Sequence, residues 1–130
     1  MISMPEQTTD ALSISVDTEY LINQSSPDED KFVFSYTISI KNVTDTTMQL
    51  LNRHWLITDA NGEVTEVRGE GVIGQQPHIT SGENFTYSSG CILKTPLGTM
   101  QGFYHLKAPD GTDVKAEIPV FRLAIPNILN

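Results

Sequence analysis

Between Phe32 and Lys41 the chain alternates without a break: Phe32, Phe34, Tyr36, Ile38 and Ile40 fall on one side, Val33, Ser35, Thr37, Ser39 and Lys41 on the other. Successive side chains of an extended backbone point to opposite faces, so this run fits a strand with one buried face and fits no helix. The same period returns along the chain. Leu12, Ile14 and Val16 alternate with Ser13, Ser15 and Asp17, in a strand that continues toward Ile22. Further strands are expected over Met48–Asp59, with Leu51, Trp55 and Ile57 on one face, and over Glu63–Arg68. Phe85 and Tyr87 mark a strand ending at Gly90, Met100 to Leu106 forms the next, and Val114–Leu123 the last. Pro119 lacks a ladder donor and demands an edge strand or a bulge there. Turn-forming clusters separate the strands: Ser25–Asp30, Asn42–Thr47, Asp59–Gly62, Gly69–Gly82, Thr95–Gly98 and Pro109–Gly111. With no helical period, the pattern predicts an all-β domain: an immunoglobulin or fibronectin type III-like β-sandwich of seven to eight antiparallel strands. Trp55 falls on the third strand, where such sandwiches keep a core tryptophan. Periodicity alone leaves a closed barrel as the alternative.

A chain of 130 residues is long enough for one core without covalent staples. The division expected is a flexible polar N-terminus over residues 1–10 and a single domain over 11–130. The net charge is −8 and the eight Lys and Arg residues are scattered, so there is no basic stripe to neutralise phosphates. That argues against nucleic acid and against an anionic membrane surface, and favours a cation or a basic protein patch as partner. Cys91 is the only cysteine, which excludes an internal disulfide. The N-terminal residues lack the basic and apolar regions of a signal peptide, and no apolar run approaches the ~20 residues that span a bilayer. The expectation is a cytoplasmic protein with no membrane insertion.

Three features invite chemistry. Gly69-Glu70-Gly71-Val72-Ile73-Gly74 fits G-x-G-x-x-G. A dinucleotide site needs a strand before this motif and a helix after it, and here Gln75-Gln76-Pro77 follows instead. Two readings remain for Gly69, Gly71, Gly74 and Gln76: an anion nest of backbone N–H groups, or a tight connection where side chains do not fit. The three histidines, His54, His78 and His105, show no close ligand spacing. His54 and His105 lie on strands that an immunoglobulin-like topology makes neighbours, so they form a candidate Co²⁺ pair. Mg²⁺ would instead take carboxylates, and Asp59, Glu63 and Glu66 lie near one hairpin. Cys91 has no neighbouring base in sequence and reads as a buried thiol. Ser88-Ser89 lacks a nucleophile-elbow setting. Trp55, Phe85, Tyr87 and Tyr104 are expected in the core; Phe103 and Phe121 are candidates for an exposed sheet face.

Several segments resemble the bacterial ApaG family. Gly69 to Pro77 is similar to G-x-G-V-V-G-x-Q-P, and Ser81 to Gly90 to P-G-E-x-F-x-Y-x-S-G. Arg53-His54-Trp55 resembles an R-H-W triplet, Thr95 to Tyr104 resembles T-P-x-G-x-M-x-G-x-Y, and Ile118 to Leu123 resembles I-P-x-F-x-L. Ile73, Ser81 and Ser88 depart from the usual residues. The resemblance implies an immunoglobulin or fibronectin type III-like fold and a link to cobalt resistance and magnesium efflux, with Co²⁺ or Mg²⁺ as the ions concerned. It brings no catalytic residues. Related domains fused into larger eukaryotic proteins imply an interaction module. The expectation is therefore a non-enzymatic binding module with a protein partner. Small-ligand binding at the glycine loop is the alternative, a metal-dependent enzyme the least supported reading, and a homodimer through an exposed edge strand a further partner expectation.

Overall fold

A computed structural model describes residues 11–127; the tail expected over residues 1–10 lies outside them. Eight strands follow one another: β1 (Leu12–Tyr20), β2 (Phe32–Asn42), β3 (Met48–Asp59), β4 (Val64–Glu70), β5 (His78–Ile79), β6 (Asn84–Leu93), β7 (Leu97–Lys107) and β8 (Asp113–Ala124). They form two antiparallel sheets, β1-β2-β6 and β4-β3-β7-β8, with the short β5 added to β3. This is the all-β sandwich that the alternation predicts.

The inner faces meet through Phe34, Ile38 and Ile40 from β2, and Leu50, Trp55, Met100, Tyr104, Leu106 and Leu123 from the facing sheet. Trp55 sits edge-on to Tyr36, Tyr104 and Phe121. The hydroxyls of Tyr87 and Tyr104 reach across the sandwich to each other at 2.6 Å, which gives each buried oxygen a hydrogen-bond partner. With no disulfide, this bond and the aromatic packing join the sheets.

Two bulges set which side chains face out. Leu50 and Trp55 are both core residues although five positions apart, which unbroken alternation forbids. The β3–β7 register slips between Leu50 and Asn52, adding one residue to β3 and reversing the parity beyond it. Leu51 consequently leaves the core face expected for it, while Asn52 and His54 turn outward. A second slip opposite Met100 and Gly102 places an extra residue in β8 around Pro119. Both alternatives for Pro119 hold, since β8 is also an edge strand. This bulge turns Phe121 inward against Tyr36 and Trp55, correcting its expected exposure.

Other expectations shift at their ends. β1 stops at Tyr20, and Ile22 sits in a 3-10 turn, 69% exposed. β6 runs through Gly90 to Leu93, which places Cys91 inside a strand. Asn42 is a fully buried polar residue, not part of an open loop. Its amide nitrogen donates to the carbonyls of Thr46 and Ile79, and its Oδ1 accepts from the Thr44 backbone N–H and hydroxyl.

Candidate functional site

The outer face of the larger sheet carries an open groove of about 580 Å³ across β7, β3 and β4. Strand register arranges the side chains of this face in two neighbouring rungs, His105, Asn52 and Glu70, then Phe103, His54 and Arg68, which Lys115 and Glu117 of β8 extend beyond the groove's lining. Phe103 is the centre of the floor. His54 packs edge-on against it with ring centroids 4.8 Å apart, and the Lys115 ammonium lies 4.3 Å from its centroid. An aromatic face between two cationic or protonatable groups is a natural platform for a flat or extended ligand.

Carboxylates orient both histidines. His54 Nε2 contacts Glu66 Oε2, which also accepts from Arg68 Nε and Nη2 at 3.1 and 2.8 Å. The Arg68 hydrogen bonds, and then that of His54, hold the Glu66 carboxyl below its ordinary pKa. His105 Nε2 lies 3.0 Å from Asp113 Oδ1, and its Nδ1 lies 3.1 Å from the Asn52 amide nitrogen. Donation from that amide requires an unprotonated Nδ1, so the proton sits on Nε2 and is donated to Asp113. The groove therefore combines fixed imidazoles, a guanidinium and an aromatic ring on rigid strands.

The two candidate histidines are neighbours on this face, as the expected strand pairing requires, but on different rungs. Both nitrogens of His105 are already engaged, so a metal bridging the pair must displace Asn52 or Asp113. Among the described residues, no group of three or more His, Cys, Asp or Glu side chains could hold a metal ion. Asp59 and Glu63 belong to their own turn, where Asp59 Oδ1 accepts the Glu63 N–H, while Glu66 is held by His54 and Arg68 beside the groove. His78 is on β5, away from both.

Of the glycine-loop candidates, only Gly69 reaches the groove. It pairs with Arg53, and a Cβ on it would meet the Arg53 guanidinium at 2.7 Å. Arg53 Nη1 donates to the carbonyls of Glu70 and Gly71 at 3.0 and 2.9 Å. Gly71 has φ +60 and no room for a Cβ against the Gln75 carbonyl. Val72 and Gln75 exchange two backbone hydrogen bonds around Ile73 and Gly74, whose φ values of 44 and 78 describe a type I′ turn. The Gly71 N–H and the Gln76 side chain both donate to the carbonyl of Leu51, the bulged residue. The N–H groups of Gly71, Val72 and Gln75 are thus committed within the protein, and Val72 is fully buried.

Cys91 is buried in β6, and burial pushes its thiol up to about 11. Sequence reasoning overlooked Asn52 and Arg68. Alternation already turns Asn52 away from Trp55; what local sequence does not carry is the strand register that sets Asn52 beside His105 and Arg68 beside His54.

The ApaG domain family matches residues 22–108. The chain belongs to the ApaG family. A Protein ApaG from Klebsiella pneumoniae is 50% identical over 117 residues, covering 90% of this chain and 94% of that protein. A Protein ApaG from Thiobacillus denitrificans is 54% identical over 119 residues, covering 92% and 94%. A crystal structure of an ApaA protein from Bordetella pertussis superposes with a TM-score of 0.87 at 45% identity, covering 90% of this chain and 95% of that one. Among the described residues, no helix of this ApaG domain is long and apolar enough to cross a membrane.

Proposed function

We propose that this ApaG domain is a non-enzymatic recognition module that binds a protein partner in the groove on β7, β3 and β4. The observation that carries this reading is the groove's floor, with Phe103 held between His54 and Lys115. Apolar surface with few, fixed polar groups suits binding of a partner side chain or extended segment. Interface anchors are characteristically aromatic residues and arginines, and Phe103 and Arg68 supply both. The histidines are held by Glu66 and Asp113, and no nucleophile accompanies them in the groove; this supports recognition over catalysis.

The link to cobalt and magnesium homeostasis that the family resemblance implies is then indirect, through the partner. The engaged state of His105 supports that assignment over direct coordination. A single buried thiol with no disulfide partner suits the reducing cytoplasm. An anion at the glycine loop has less support, because three of the donors it would need are spent on the loop itself.

The test is quantitative retention of proteins from a bacterial extract on the immobilised domain, compared with Phe103→Ala and Arg68→Glu. The expected result is a specific protein held by the unmodified domain, lost from both variants and retained by Ile73→Asn in the glycine loop. A partner kept equally well by the groove variants refutes the site. In parallel, amide NMR spectra during Co²⁺ addition should show no site-specific broadening centred on His54 and His105. Saturable broadening there would replace the indirect reading with a direct one.

A further inference from the structure

Among the described residues the sandwich has four strand edges, and natural sheets protect such edges with charge, proline or bulges. Three are protected here. β1 carries Asp17 and Glu19, β4 carries Glu66, Arg68 and Glu70, and β8 has Pro119 and its bulge among four charged residues. The fourth, β6, has none of these devices. Its ten residues, Asn84 to Leu93, include no charge and no proline, and its pairing with β2 runs without a slip. Its other side pairs with no described strand. A cleft of about 450 Å³ separates this edge from the facing sheet, lined by Val33, Ile57, Cys91 and Ile92 among others, and Ile92 is 62% exposed.

We infer that β6 is the dimerisation edge: it pairs antiparallel with β6 of a second copy, joining the two three-stranded sheets into one of six strands. Charge placement selects a second copy over a foreign strand. Glu83 immediately precedes the uncharged run and Lys94 immediately follows it. Lys94 is 72% exposed and touches Glu63 only at 3.8 Å, so it is available. Antiparallel pairing of two identical strands brings the Glu83 end of each to the Lys94 end of the other, so opposite charges flank the paired run at both ends from just outside the strand, as neighbours and not as a direct cross-strand pair.

Symmetry narrows the register. A two-fold axis perpendicular to the sheet keeps outer faces outer, so the pairing must centre on a residue facing itself. Centred on Ser89, it sets Tyr87 against Cys91 and Phe85 against Leu93 on the inner side. On the outer side it sets Ser88 against Gly90 and Thr86 against Ile92. No like charges meet, and the half-buried Phe85 gains an apolar neighbour.

Sedimentation velocity over a micromolar to millimolar range tests this. The unmodified protein should show a reversible monomer–dimer equilibrium. Ser88→Lys sets two lysines near the axis and should weaken association by roughly tenfold or more, since opposed like charges destabilise strand pairs. Ser15→Lys places the same charge on the β1 edge and should leave association unchanged. Amide exchange on the unmodified protein removes any dependence on a variant's folding: alternate β6 amides should gain protection as concentration rises. A monomer at every concentration, or a dimer insensitive to Ser88→Lys with unprotected β6 amides, overturns the inference. It is independent of the groove, which lies on the other sheet, so the two can fail separately.

Discussion

Replacing either member of the Tyr87–Tyr104 pair by phenylalanine should destabilise the fold far more than replacing both. The hydroxyls share one hydrogen bond of 2.6 Å, and the residues are 4% and 0% exposed. Burial raises both phenols above their ordinary pKa, Tyr87 to about 12. A single substitution leaves the other hydroxyl buried without that partner, which costs about 1–3 kcal/mol. Tyr87→Phe should be the worse, because it strands the hydroxyl of Tyr104, which has no exposed surface. Removing both eliminates the stranded group, and such paired replacements are nearly neutral. At about 2.1 cal/mol/K per residue, unfolding 130 residues carries an entropy near 0.27 kcal/mol/K, so each kcal/mol moves Tm by roughly 4 °C. Thermal unfolding by circular dichroism should then show a fall of roughly 4–12 °C for either single variant. The double variant should lie within a few degrees of the parent, giving a coupling energy above about 1 kcal/mol. Additive losses would refute the claim that this bond is an isolated cross-sheet tie.

Three further outcomes follow from the geometry. Ile73 is a β-branched residue at φ 44 ahead of Gly74, so Ile73→Asn, which supplies the preferred type I′ pair, should stabilise by roughly 1 kcal/mol in urea unfolding. Arg53→Lys removes the fork that holds the Glu70 and Gly71 carbonyls; it should cost about 1–3 kcal/mol and speed amide exchange across residues 69–76. Cys91 has a folded pKa of about 11 against an unfolded 9.0, so the neutral thiol favours the folded state. That stability is present below pH 9 and is lost as pH rises toward 11, up to roughly 3 kcal/mol, and Cys91→Ala should flatten this part of a Tm–pH profile.

Strand alternation made the fold legible. Phe34, Tyr36, Ile38 and Ile40 are buried as their period requires, and β3 has the bounds its pattern indicates. Where a side chain was assigned to the wrong face, an extra residue had entered its strand. Period-two reasoning holds one parity along a whole strand, so a bulge leaves the residues on one side of it assigned to the wrong face. It misplaced Leu51 in the core and left Phe121 as a candidate for an outer face. Asn42 escaped for another reason: its burial depends on the carbonyl of Ile79, far away in sequence, and local polarity gave the opposite impression.

The β3 bulge also explains why the two strongest sequence signals pointed to separate sites when they belong to one assembly. It turns Asn52 and His54 outward toward His105 and Phe103 while keeping Trp55 in the core. The carbonyl of its extra residue, Leu51, accepts from Gly71 and Gln76, and Arg53 grips the same stretch through Glu70 and Gly71. Gly69 leaves space for that arginine, and Gly71 lets the chain close on Gln75. The glycines are thus explained by backbone contacts that fix the wall of the groove, while the residues that face a ligand are those the bulge turns outward. A substitution at Gly71, unlike one at Ile73 on the tip of the turn, should accordingly act on the groove through the position of β4, not through lost contact with what binds there.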